Sequence, residues 1–165
     1  MIQLGVLKET VRRFIELLDD IGGQVSYGRL GEQAKVDMIM YCLHLMSSDG
    51  KYTEEETGLI NHVFEGYDFT PASVKFFVEE QGISSNYFEH EVPQSLIAAV
   101  AVDKAARQID RDLMSLSHMM TGIYLELGKY VISSDGELDV RERDDIVNYV
   151  RRMAEYVEAS LDLCE

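Results

Sequence analysis

Apolar residues return along this chain every three or four positions, the period of a helix with one buried face. Leu4, Leu7, Val11, Phe14, Ile15 and Leu18 are separated by Glu9, Arg12, Arg13, Glu16 and Asp19. They predict an N-terminal amphipathic helix within about residues 1–22, ended by Gly22-Gly23. From about Glu32 a second helix presents Val36, Ile39, Met40, Leu43 and Met46 on one face. Thr53 begins a third, with Leu59, Ile60, Val63 and Phe64 as its buried side. Gly58 inside it costs about 1 kcal/mol relative to Ala. Pro71 reads as the first residue of a fourth helix, where its missing N–H is not needed. That helix carries Val74, Phe77 and Val78. A short polar piece anchored by Tyr87 and Phe88 leads to Pro93 and a fifth helix with Leu96, Ile97, Val100 and Ala101 on its core face. A sixth holds Leu113, Leu116, Met120, Ile123, Tyr124, Leu127 and Val131. A last one holds Ile146, Tyr149, Val150, Met153, Val157 and Leu161. No segment alternates with period two, so residues 1–165 read as one all-α domain, a bundle of about seven or more helices.

One stretch occurs twice. Leu45-Met46-Ser47-Ser48-Asp49-Gly50 is echoed by Val131-Ile132-Ser133-Ser134-Asp135-Gly136, and Thr53 and Glu56 are matched by Asp139 and Glu142, every pair 86 positions apart. A shared pattern of hydroxyls, carboxylates, glycine and apolar residues points to an internal duplication. The bundle is therefore expected to consist of two pseudo-symmetric helix-loop-helix halves, with repeats over about 32–66 and 112–157.

The repeated loop has two physical readings. In the first it is architecture: glycine turns the chain, Asp49 and Asp135 form Asx turns, and Thr53 with Glu56, like Asp139 with Glu142, starts a helix. In the second it is a cation loop. A calcium loop takes oxygens from alternate positions, turns at a Gly and closes with a Glu six residues later, the spacing of Gly50 to Glu56 and of Gly136 to Glu142. Asp49 and Asp135 stand at the ligand place before the Gly, but Leu45 and Val131 replace the opening acid. Calcium takes about six to eight oxygens, so each loop alone is short of a full set, and two half-sites sharing an ion is the arrangement to test. The candidate metal ligands are Asp49, Glu56, Asp135 and Glu142; the candidate ions are the divalent cations Ca, Mg, Mn and Zn.

Charge narrows the partners. Thirty acidic against fifteen basic residues give a formal charge of −15, which repels nucleic acid and anionic membrane surfaces and favours cations or a basic protein. Glu54-Glu55-Glu56 and the acids from Asp135 to Asp145 are solvated helix starts, or a landing site for such a partner. Cys42 and Cys164 form neither a disulfide framework nor a zinc spacing, consistent with a reducing cytoplasm. The longest run without Asp, Glu, Lys or Arg is the thirteen residues from Leu113 to Leu125, too short to span a bilayer, and the N-terminus lacks the pattern of a signal peptide. His44, His62, His90 and His118 show no i, i+4 pair and read as ordinary core or surface histidines, while the eight methionines read as core filler. No phosphate loop, nucleophile elbow or Cys-X-X-Cys motif occurs, so no enzyme is expected.

An apolar helix running into Ser-Ser-Asp-Gly with a Glu six residues after the Gly, twice in an acidic all-helical chain, resembles the TerB family of tellurite-resistance proteins. The N-terminal domain of the membrane co-chaperone DjlA has a similar plan. The resemblance spans roughly Glu32 to Val157, and its specific part is Asp49, Gly50, Glu56, Asp135, Gly136 and Glu142. It implies a bacterial, cytoplasmic stress-response or metal-sensing protein, with the four carboxylates as metal ligands and a basic or membrane-associated protein as partner. Thr53 departs from the acid found at Asp139. The alternative is a metal-independent adaptor or immunity-type protein whose acidic face meets another protein.

Overall fold

The structure, a computed structural model, describes residues 2–24, 29–48, 50–81, 85–110, 115–134, 136 and 140–162. Among these residues there is no strand, and the chain order is α1 (Leu4–Gln24), α2 (Leu30–Ser47), α3 (Glu54–Val63), α4 (Pro71–Gln81), α5 (Ser85–His90), α6 (Gln94–Ile109), α7 (Leu116–Ser133) and α8 (Val140–Asp162). The all-α expectation holds. None of these helices is long and apolar enough to cross a membrane.

Helix α2 is the axis, in contact with every other helix. Its sequence is apolar on nearly all sides, and Met38, Ile39, Tyr41, Cys42, Leu43 and Leu45 are all buried. A helix apolar all round must lie inside a bundle, where each face finds a partner. The Tyr41 ring meets Tyr124 of α7 at 4.9 Å and stacks on Tyr149 of α8 at 5.2 Å, which ties the axis to the last two helices. Burial pushes the Tyr41 phenol well above its usual range and the Cys42 thiol up to about 12, so neither ionises near neutrality.

Three predicted helix faces keep most of their residues buried or partly buried, and each loses one to solvent. Val36, Phe77 and Ile97 are exposed. On α6 the inward stripe is Leu96, Ala99, Val100 and Asp103, which turns Ile97 to solvent. On α4, Val74 is wholly buried and Val78 partly so, leaving Phe77 at the edge. On α2, Val36 is exposed together with Gln33, one turn before it. Helix α1 continues through Gly22, which is buried, because tertiary packing outweighs a propensity penalty of about 1 kcal/mol. Leu113 and the Tyr87 side chain lie outside the described residues.

Three helix N-termini are held by carboxylates from other helices. Asp19 of α1 accepts from the Gly31 N–H at 2.8 Å. Asp37 of α2 accepts from the Ser95 N–H at 3.0 Å and the Ser95 hydroxyl at 2.6 Å. Asp103 of α6 accepts from the Leu116 and Ser117 N–H groups, both at 2.9 Å, and from the Ser115 and Ser117 hydroxyls. The residues preceding α2 and α6, Arg29 and Pro93, make no side-chain cap of their own, so the borrowed carboxylate supplies the missing acceptor.

Candidate functional site

The two repeated corners follow the same backbone path where they are described. At the first, the Ser48 N–H donates to Leu45 at 3.1 Å and the Gly50 N–H to Ser47 at 3.2 Å. At the second, Ser134 donates to Val131 at 3.4 Å and Gly136 to Ser133 at 3.3 Å. Gly50 has φ 74° and Gly136 φ 78°, the left-handed region that glycine enters without Cβ strain. Asp49, Asp135 and Asp139 lie outside the described residues.

The closing glutamates are the third residues of α3 and α8, and both are buried: Glu56 is 2% exposed and Glu142 3%. Glu56 Oε2 accepts from the Thr53 N–H at 3.1 Å and the Thr53 hydroxyl at 3.0 Å, while Thr53 Oγ1 accepts from the Glu56 N–H at 3.2 Å. This is the capping box that the spacing predicts. It also uses one oxygen of a proposed metal ligand.

The corners differ in their second serine. Ser134 turns its hydroxyl back to Val131 at 2.8 Å, whereas Ser48 donates across the molecule to Asp145 Oδ2 of α8 at 2.5 Å. The first corner is thus tied to the helix that follows the second. Beside this bond, His44 Nε2 lies 3.9 Å from Asp145 Oδ2, and its ring stacks on Phe88 of α5 at 4.2 Å with the planes only 6° apart. Burial lowers the proton affinity of His44, opposed by the negative charges of Asp145 and Glu89.

Around these groups lies a groove of about 680 Å³ between the end of α2, α5 and α8. One wall is a polar stripe of α8: Arg141, Asp144, Asp145, Asn148, Arg151 and Arg152. Arg152 Nη1 donates to the Phe88 carbonyl at 2.7 Å and the Glu91 carbonyl at 3.2 Å, which pins the end of α5 against α8. Sequence reasoning did not single out this groove. The signal was present, because the six residues recur at helical spacing opposite the apolar stripe of α8, but a polar stripe ordinarily marks solvent. The groove's other walls come from residues 44–48 and 88–89, far away in the chain.

Among the described residues no group of three or more His, Cys, Asp or Glu side chains is arranged to hold a metal ion. No family model matches the chain, and no curated protein or solved structure matches it either.

Proposed function

We propose that this chain is a non-enzymatic, TerB-like bacterial stress-response protein that takes a divalent cation at its two Asp-Gly corners. In this reading α2–α3 and α7–α8 are two copies of one helix-corner-helix unit, and Asp49, Glu56, Asp135 and Glu142 supply the carboxylates. Binding an ion fixes the two corners and thereby the acidic surface between them. The observation that supports it is the matched corner backbone followed, in both copies, by a nearly inaccessible glutamate.

Calorimetric titration of chelator-stripped protein with Ca²⁺, Mg²⁺, Mn²⁺ and Zn²⁺ tests this. Saturable heat and a raised melting temperature with at least one ion are expected, both lost in the Asp49→Asn, Asp135→Asn double variant. Absence of heat and of any melting shift with all four ions overturns it. The complete capping box at Glu56 favours a second reading, in which the corners need no ion and the acidic surface meets a partner protein directly. On that reading the double variant responds to metal as the parent does.

A further inference from the structure

The α8 wall of the groove carries a charge pattern with a length. Arg141, Asp144, Asp145, Asn148 and Arg151 are spaced so that they share one side of the helix, cationic at both ends and anionic in between. Ten residues separate the two end arginines, about 15 Å at the rise of an α-helix. The whole molecule has twice as many acids as bases, yet here Arg141, Arg151 and Arg152 equal Glu89, Asp144 and Asp145 in number. A small anion or cation engages one end or the centre of such a wall. An elongated ligand with anionic, cationic and anionic groups in that order meets all of it.

An extended peptide has that geometry. Alternate residues of a strand project to the same side, and four residue steps cover about 13 Å. Acids at the first and fifth positions with a base at the third therefore place three charges on one face at the length of the stripe. We propose that this groove docks an extended segment of a partner protein with the pattern acid-x-base-x-acid. The acids lie against Arg141 and Arg151 and the base against Asp144.

The rest of the groove fits this use. Arg152, committed to the Phe88 and Glu91 carbonyls, holds the α5 wall in place. Arg151 is well exposed and bonds only within α8, to Asn148 Oδ1 at 2.9 Å and 4.0 Å from Glu155, among the contacts described. Such exposed pairs are worth little and yield to a partner. The stacked His44 and Phe88 rings close the α2 side.

Fluorescence anisotropy with a labelled Gly-Glu-Gly-Lys-Gly-Glu-Gly peptide tests the pattern. Measurements at about 0.15 M sodium chloride screen the net charge of −15, and excess chelator makes the result independent of any ion at the corners. Saturable binding is expected, about two- to fivefold weaker for Arg151→Ala and for Asp144→Ala, since each removes one exposed charge pair. A peptide with the charges inverted, Gly-Lys-Gly-Glu-Gly-Lys-Gly, binds the parent more weakly than the original and binds the Asp144→Lys, Arg151→Glu variant better than it binds the parent. Unchanged melting temperatures show that the variants are folded. No saturation up to millimolar peptide, equal binding of both peptides to the parent, or indifference to the substitutions overturns the proposal. So does equal binding of a peptide with Gly in place of the central Lys, which marks a simple anion site.

Discussion

The Tyr41 hydroxyl is a polar group in the middle of the axis helix, wholly buried and without a hydrogen-bond partner among the described residues. Its ring is well placed, packed between Tyr124 and Tyr149. The hydroxyl itself is pressed toward α7, since a Cβ added at Gly128 would stand 2.7 Å from it and 2.8 Å from the Ile146 side chain. Leaving a buried hydroxyl unpaired costs about 1–3 kcal/mol, so removing the oxygen while keeping the ring relieves a penalty and deletes no bond. Tyr41→Phe is expected to raise the free energy of unfolding by about 1 kcal/mol in a urea titration. Gly128→Ala is expected to lower it by about 1–3 kcal/mol through overpacking, and by less when combined with Tyr41→Phe. A loss of stability in Tyr41→Phe alone rules this account out.

At the scale of elements, the borrowed caps explain part of the acidic composition. Asp103 is 4% exposed and serves two backbone N–H groups and two hydroxyls at the start of α7, while Asp37 serves one of each at the start of α6. Deleting the better-buried carboxylate strands more donors. Asp103→Ala is therefore expected to cost about 2–3 kcal/mol and Asp37→Ala about 1–2 kcal/mol by chemical denaturation. Equal costs mean that the hydroxyls at residues 115 and 117 satisfy the first turn of α7 by themselves. These caps also mark where reading the sequence stops. The helices were legible because hydrophobic period is a local property, and so was the Thr53–Glu56 capping box, whose two members are three residues apart. Asp37 and Asp103 look in sequence like ordinary polar positions in their own helices. Their partners lie 58 and 12–14 residues away and are chosen by packing. The bond from Ser48 to Asp145 and the groove beside it were hidden for the same reason. The repeated corners were visible because the repetition itself is in the chain. Phe77 and Ile97 differ from expectation because they stand at the edge of an apolar stripe, and only the neighbouring helices decide how wide a stripe turns inward.

Over the whole molecule, the caps and the two buried glutamates occupy few of the thirty acidic residues, and a formal charge of −15 remains. Like charges on a compact body repel, and unfolding relieves the strain by spreading them apart. Raising ionic strength from 0.01 to 0.15 M shortens the screening length from about 30 Å to about 8 Å, from the width of the domain to the spacing of neighbouring side chains. The melting temperature should therefore rise with sodium chloride by about 2–4 °C, the change that roughly 1 kcal/mol produces in a protein of this size. Screening depends on ionic strength alone, whereas a bound ion adds a stabilisation that grows with its concentration relative to its dissociation constant. Magnesium or calcium chloride at matched ionic strength separates the two. If the corners take a cation, the divalent salt raises the melting temperature beyond the sodium curve, and Asp49→Asn, Asp135→Asn removes that excess. Those substitutions also delete two negative charges, so by repulsion alone they stabilise the protein in low salt. An ion site thus predicts opposite signs for the same double variant in the two media: a gain in dilute sodium chloride and a loss in saturating divalent salt. Superimposable sodium and divalent curves would leave net charge as the whole explanation.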